Sequence, residues 1–175
     1  MKSEALVSIN TVNFKQALVT NKLLESLEKL SWSNFEVIVV DNASGEEDLG
    51  KLILFYKKVK LIKSDVNLGF AGGNNQAIRE AKGDYLLFLN NDTEEEPNFL
   101  APLVNKMESD PKLGGVSPKI KFFYQPDLIQ FAVQAAMNPF TIRSFGYGYK
   151  VPPRLKIFKP SRLYKAVLEI SNPSS

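Results

Sequence analysis

The sequence predicts an α/β protein built on a doubly wound, mostly parallel sheet flanked by helices. Three observations carry this. Over the first 120 residues, strand-like runs alternate with segments of helical period, the pattern that right-handed βαβ crossovers require. The run Glu36-Val37-Ile38-Val39-Val40 is β-branched almost throughout, as a parallel strand buried on both faces demands. The strand-like runs also end in Asn, Asp and Gly clusters, which in such a sheet would share the carboxyl edge where ligands bind.

The first strand is predicted over Leu6–Val12, with Asn13-Phe14 as the turn out of it. Lys15–Leu30 places Leu23, Leu27 and Leu30 at helical spacing. The second strand ends at Asp41-Asn42-Ala43-Ser44-Gly45, and the acidic Glu46, Glu47 and Asp48 suit the next helix start. Val59–Lys63 reads as the third strand, followed by a loop over Asp65–Gly73 and a helix through Ala81. Gly83-Asp84 turns the chain into a fourth buried strand, Tyr85–Leu89. Asn90-Asn91-Asp92-Thr93 follows, then a helix from about Pro97, a residue suited to a first helical turn. From Ile120 the periodicity degrades into an aromatic stretch, and 151–175 holds Pro152, Pro153, Pro160 and Pro173 without an amphipathic period. The expected organisation is a core over 1–120, the start of a second region over 121–150, and a basic tail over 151–175.

Composition narrows the chemistry. The 175 residues contain no Cys and no His, which excludes disulfides, thiolate zinc sites and an imidazole base. A metal would need oxygen ligands, which points to Mg²⁺, Mn²⁺ or Ca²⁺. The longest apolar runs, Leu52–Tyr56 and Tyr85–Leu89, fall far short of a bilayer span, and no signal-peptide core follows Met1; a cytoplasmic protein is expected. Residues 1–110 hold 12 Lys and Arg against 17 Asp and Glu, whereas 111–175 hold 10 against 2. That basic end has two readings, contact with anionic lipid headgroups or a poorly folded end kept soluble by charge. No motif supports nucleic-acid binding.

Three clusters carry chemistry. Asp41, at the end of a buried strand, can accept a hydrogen bond from a base N–H or a ribose hydroxyl; a plain turn is the alternative. Asn67-Leu68-Gly69-Phe70-Ala71-Gly72-Gly73-Asn74-Asn75 lies between strand and helix, where glycines admit a ligand and helix amides attract phosphate. A sharp turn with close helix packing is the alternative there. The segment lacks G-x-G-x-x-G spacing, which argues against a dinucleotide fingerprint. In Phe88-Leu89-Asn90-Asn91-Asp92, a carboxylate past a strand can ligate a cation that bridges two phosphates.

Together with Val7–Asn13, Phe35–Ser44 and Glu96-Pro97, these stretches resemble the family 2 glycosyltransferases of GT-A fold, in particular the rhamnosyltransferase-like branch. The resemblance covers about residues 5–120. It implies a Rossmann-like nucleotide-binding half with the C-terminal part incomplete. It further implies that Val12 and Asn13 line the base pocket, that Asp41 and Asn42 contact the nucleoside, and that Asn67, Gly69, Gly73, Asn74 and Asn75 border the donor together with Asn91. Asn90-Asn91-Asp92 resembles the family's Asp-x-Asp metal motif, with Asp92 and Asn90 as ligands to Mg²⁺ or Mn²⁺ and Asn90 departing from the acidic pattern. Many members carry Arg at the position of Asn74.

The implied activity is inverting transfer of a sugar from a dTDP- or UDP-linked donor to a glycan or lipid-linked acceptor in cell-surface polysaccharide synthesis, at the inner face of the membrane. Relatives take their general base from an acidic motif far downstream. After Asp110 this sequence offers only Asp127 and Glu169, and neither sits in such a context. Ile129–Tyr149 resembles the loop before the acceptor half, and the resemblance ends after Lys150. The expectation is a truncated chain whose open sheet favours self-association. Two other readings are a non-catalytic nucleotide-sugar-binding remnant and a sugar nucleotidyltransferase; the latter opens with a Gly-rich, Arg-containing loop, where this chain has Thr11-Val12-Asn13-Phe14-Lys15.

Overall fold

A computed structural model describes residues 4–45, 47–131, 133–134, 146–147, 150 and 167–168. The chain divides into two compact units, Met1–Ala101 and Pro102–Ser175.

The first unit contains β1 (Val7–Asn13), α1 (Ala17–Leu27), β2 (Phe35–Asn42), α2 (Glu47–Ile53), β3 (Val59–Ser64), α3 (Gly69–Glu80) and β4 (Tyr85–Phe88). Its sheet has the order β3-β2-β1-β4, parallel throughout. The chain steps outward from β1 to β3 and then returns to lay β4 beside β1. With right-handed crossovers this reversal puts α1 and α2 on one face and α3 on the other. Alternation along β1 agrees: Val12 packs into the cluster of Ile38, Val40 and Ala77 under α3, while Asn13, one residue on, meets Thr20 of α1. The reversal makes the carboxyl ends of β1 and β4 a topological switch point, the place where open α/β sheets bind ligands.

β2 earns its position through sequence: all its residues but Glu36 are buried, as expected for a β-branched run covered on both faces. Leu23, Leu24 and Leu27 form the buried stripe of α1.

Three expectations need correction. The segment 69–73 is helix rather than loop, because α3 begins at Gly69. Gly69 takes φ +68°, which a glycine tolerates without strain. The Asn67 side chain accepts from Gly69 N (2.8 Å) and Asn42 accepts from Leu68 N (2.9 Å), so side-chain amides replace the missing backbone partners of the first turn. The fourth strand, in turn, is only partly buried. Among the described residues β4 pairs on one side alone, and Leu86 and Phe88 are 43% and 46% exposed.

The helix expected from Pro97 starts later, as α4 (Leu100–Ser109), which crosses the boundary into the second unit. That unit holds a hairpin of β6 (Ile120–Phe122) and β7 (Gln125–Phe131), after β5 (Ser117–Pro118). Phe123 and Tyr124 stack edge to face at the hairpin turn, centroids 5.1 Å apart. Among the described residues it also holds the short pairs β8 (Val133–Gln134) with β9 (Gly146–Tyr147), and β5 with β10 (Val167–Leu168). The expectations for a basic tail and for Glu169 fall outside the described residues, apart from Val167 and Leu168.

Candidate functional site

Strand-end residues of all four sheet segments of the first unit converge on one open groove. Its volume is about 300 Å³, and it is lined by Val12, Phe14, Gln16, Asn42, Asn67, Gly69, Phe70 and Asn91. Those residues follow or end β1, β2, β3 and β4 in turn, so the groove sits at the switch point. The volume is at the lower end of what small-molecule sites occupy. Every lining residue is uncharged, and two are aromatic rings left 42% and 62% exposed, Phe14 and Phe70.

Beneath the groove lies a buried polar network. Asn13 is fully buried and donates from Nδ2 to Asp41 Oδ1 (3.3 Å) and to Ser44 Oγ (3.0 Å). Its Oδ1 accepts from Thr20 Oγ (2.8 Å). Thr20 in turn accepts from Asn91 Nδ2 (3.1 Å), which also reaches Gln16 Oε1 (3.1 Å). Ser44 Oγ accepts from Lys15 N (2.9 Å) as well. Lys15 and Ala43 hold φ of 56° and 62°, left-handed values that cost a residue with a Cβ about 1–3 kcal/mol. Both lie just past strand ends beside Asp41, and Ser44 ties the two turns together.

Asn42 organises the other wall. It donates from Nδ2 to Asn67 Oδ1 (2.8 Å) and to the Gly69 carbonyl (3.2 Å), fixing the turn into α3 against the end of β2.

The structure does not bring all the sequence-predicted residues to the groove. Val12, Asn42, Asn67, Gly69 and Asn91 line the groove. Asn13 and Asp41 are buried behind it. Gly73 faces β1: a Cβ there would stand 2.9 Å from Val12 Cγ1, so this glycine serves helix–strand approach. Asn74 is buried and donates to the Phe70 carbonyl (2.9 Å), and Asn75 is exposed on α3. Asn90 and Asp92 are exposed in the turn after β4, where Thr93 Oγ donates to the Asn90 carbonyl (2.9 Å). Phe14, Gln16, Phe70, Thr20 and Ser44 were not anticipated. The clustering of Phe14 and Phe70 beside polar strand ends was the available signal for the rings; the hydroxyls gave none.

No group of three acidic, His or Cys side chains gathers among the described residues. The turn offers one exposed carboxylate, Asp92, flanked by the amide of Asn90. That oxygen-only set fits a hard cation that keeps most of its ligands from phosphate and water, as Mg²⁺ does.

Glu95 lies three residues past Asp92, and its N–H donates to Ser26 Oγ (3.1 Å). Burial raises its carboxyl pKa above the usual range; a hydrogen bond from Thr93 opposes this and the charge of Glu96 adds to it. A raised folded-state pKa favours the protonated form in the native state. Its stabilising contribution is thus present at low pH and lost as pH rises from the ordinary carboxylate range through the raised value. Glu95→Gln is expected to be more stable than the parent at pH 7, with the difference shrinking toward pH 4. Urea denaturation at both values checks this, and a pH-independent difference would contradict it.

Residues 8–162 match the family described as Glycosyl transferase family 2. An uncharacterized glycosyltransferase of Haemophilus influenzae is 32% identical over 121 residues, 69% of this chain and 38% of that protein. The putative colanic acid biosynthesis glycosyl transferase WcaA of Escherichia coli is 31% identical over 104 residues, 58% of this chain and 37% of its own length. The chain thus spans less than two fifths of either relative. Among solved structures, S. aureus TarS 1–349 in complex with UDP-GlcNAc is 25% identical at a TM-score of 0.54, over 59% of this chain and 31% of TarS. The mannosyltransferase PcManGT of Pyrobaculum calidifontis, in complex with GDP-Man and Mn²⁺, reaches a TM-score of 0.62 over 73% of this chain and 40% of its own, at 21% identity. The second likeness speaks to the fold alone.

Proposed function

The chain belongs to glycosyl transferase family 2, its fold is of the GT-A type, and from that premise we propose that its groove binds a nucleoside-diphosphate sugar. The proposed reaction transfers the sugar, with inversion, from a UDP- or dTDP-linked donor to a glycan or lipid-linked acceptor in cell-surface polysaccharide synthesis. One observation carries the reading: Val12, Asn42, Asn67, Gly69 and Asn91, drawn from four separate stretches, meet in one groove at the switch point. The colanic acid relative and the UDP-GlcNAc complex of TarS support the class of product and of donor. Val7–Asn13 and the Asn67–Asn75 segment support the rhamnosyltransferase-like branch.

In this reading Phe14 and Val12 supply the apolar surface for the base, and Asp41 accepts a hydrogen bond from base or ribose. Residues 1–120 form the donor-binding core. The diphosphate lies toward the turn at Asn90–Asp92, where Asp92 and Asn90 would hold Mg²⁺ or Mn²⁺. A bound cation supplies charge neutralisation on the departing diphosphate. The protein's own share is to fix that turn, which Asn91 does through Gln16 and Thr20, and to exclude water from the base with the two rings.

A second reading is a nucleotide-sugar-binding remnant without turnover; Asp127, one of the acids past Asp110, is exposed on β7. We place the protein in the cytoplasm at the inner membrane face on the strength of its basic C-terminal stretch. No helix among the described residues is long and apolar enough to cross a membrane. Exposed Leu86 and Phe88 on β4 support self-association.

The test is calorimetric titration of UDP and dTDP, with and without Mn²⁺. Binding of one of them is expected, and Asp41→Ala should weaken it about 10- to 100-fold, the loss of a hydrogen bond to a buried charge. A folded protein that binds neither nucleotide refutes the donor site. Turnover of a labelled nucleotide sugar then separates the enzyme from the remnant.

A further inference from the structure

We propose that Thr20 of α1 is a positioning residue that couples the nucleoside end of the groove to its metal end. The inference rests on the donor-site reading above and adds to it a residue that does not line the groove.

Hydrogen-bond direction carries the argument. An ionised carboxylate can only accept, so the Asn13 group 3.3 Å from Asp41 Oδ1 is its NH₂. The Asn13 Oδ1 must then face Thr20, and at 2.8 Å it takes the hydroxyl proton. A hydroxyl has one proton to give, so toward Asn91 only its lone pairs remain. Asn91 consequently presents its NH₂, at 3.1 Å, and Gln16 Oε1 accepts from the same nitrogen. Each donor in the series Asn91, Thr20, Asn13 points toward Asp41. Such aligned bonds polarise one another where water is absent, and Thr20 and Asn13 are both fully buried.

Thr20 is therefore the junction between two ends of the site that lie on different strands. Asp41 closes β2, and Asn91 sits between Asn90 and Asp92 after β4. Engagement of Asp41 by a nucleoside changes what Asn13 faces, and Thr20 transmits that change to the turn that would hold the cation. A Val of the same shape could neither accept from Asn91 nor donate to Asn13, so the hydroxyl of Thr20 is what makes the junction.

The measurement is the factor by which saturating Mn²⁺ strengthens UDP binding, read by calorimetry in wild type, Thr20→Val and Thr20→Ser. In Thr20→Val this factor should fall about 10-fold, as when groups behind a metal ligand are lost, while metal-free UDP affinity changes less than about 3-fold. Thr20→Ser, which keeps the hydroxyl, should stay within about 2-fold of wild type. A purely structural Thr20 would weaken both arms alike and leave the factor unchanged, which would overturn the proposal. So would a folded Thr20→Ser that loses as much as Thr20→Val. If Thr20→Val fails to fold, Thr20→Cys, which nearly keeps the volume but has only a weak donor and acceptor, makes the comparison. Absence of UDP binding in the wild type would remove the donor-site reading itself. Intact wild-type binding with an unchanged factor in Thr20→Val would remove the coupling alone.

Discussion

Asp92→Ala is expected to weaken Mn²⁺-supported UDP binding on the order of 100-fold and to abolish its dependence on the metal. The size follows from the lining of the groove. A nucleoside diphosphate brings concentrated negative charge, yet none of the eight lining residues is charged. Lys15, the basic residue beside Phe14, lies with Nζ 5.3 Å from that ring's centroid, where its charge is directed at the ring. In the proposed donor site a cation would supply the neutralisation, and in the turn Asn90–Thr93 only Asp92 offers it a carboxylate. Losing a group behind a metal ligand costs about 10- to 100-fold in metal affinity, and a direct ligand belongs at the top of that range. The converse variant is equally informative. Asn90→Asp supplies a paired carboxylate and should tighten Mn²⁺-supported binding while metal-free affinity falls through repulsion of the phosphates. Calorimetric titration at fixed Mn²⁺ checks both, and an Asp92→Ala protein whose binding still responds to Mn²⁺ would place the cation elsewhere.

The parallel sheet was legible because burial on both faces leaves a strong mark on composition. Phe35–Asn42 has the composition of an interior strand, and the Asn- and Asp-rich ends pointed to the carboxyl edge on which the groove lies. What stayed hidden was tertiary in origin. Gly69, Gly72 and Gly73 read as a loop, since glycine weakens a helix by about 1 kcal/mol per residue. Here Asn42 and Asn67 cap the first turn from outside the helix, and Gly73 lets α3 approach Val12. No local pattern announces the amide of Asn42, which arrives from β2. The same blindness applied to Thr20 and Ser44, whose hydroxyls matter through partners 7 to 71 residues away. Tyr85–Leu89 misled for the opposite reason: an apolar run identifies a strand but not its neighbours, and Leu86 and Phe88 lie on a strand paired on one side among the described residues.

Gly83→Ala is expected to destabilise the first unit by about 3 kcal/mol, the upper end for overpacking a tight site. A Cβ at Gly83 would stand 2.5 Å from the backbone nitrogen of Ser8 and 2.8 Å from the Tyr85 carbonyl. Neither is the tip of a flexible side chain, so relief requires β4 to move off β1. That movement strains Gly83 N to Ser8 Oγ (2.8 Å), Tyr85 N to Leu6 O (3.3 Å) and Leu6 N to Asp84 Oδ2 (2.9 Å). It also disturbs Ser8 Oγ, which donates to Glu36 Oε1 (2.6 Å), the same atom that accepts from Lys82 N (2.7 Å). For a unit of roughly 100 residues, 3 kcal/mol corresponds to a fall in Tm of about 12–24 °C. Gly114→Ala, where a Cβ meets nothing within 4 Å, should stay within about 0.5 kcal/mol. The junction at Ser8 lies five residues before Asn13, about 16 Å along an extended strand, at the edge of the sheet opposite the groove. Gly83→Ala examined below its melting transition should therefore bind UDP with unchanged affinity. A loss of affinity in the folded variant would mean that the two edges of the sheet are not independent, and that the β1–β4 junction sets the geometry of the groove as well as the stability of the unit.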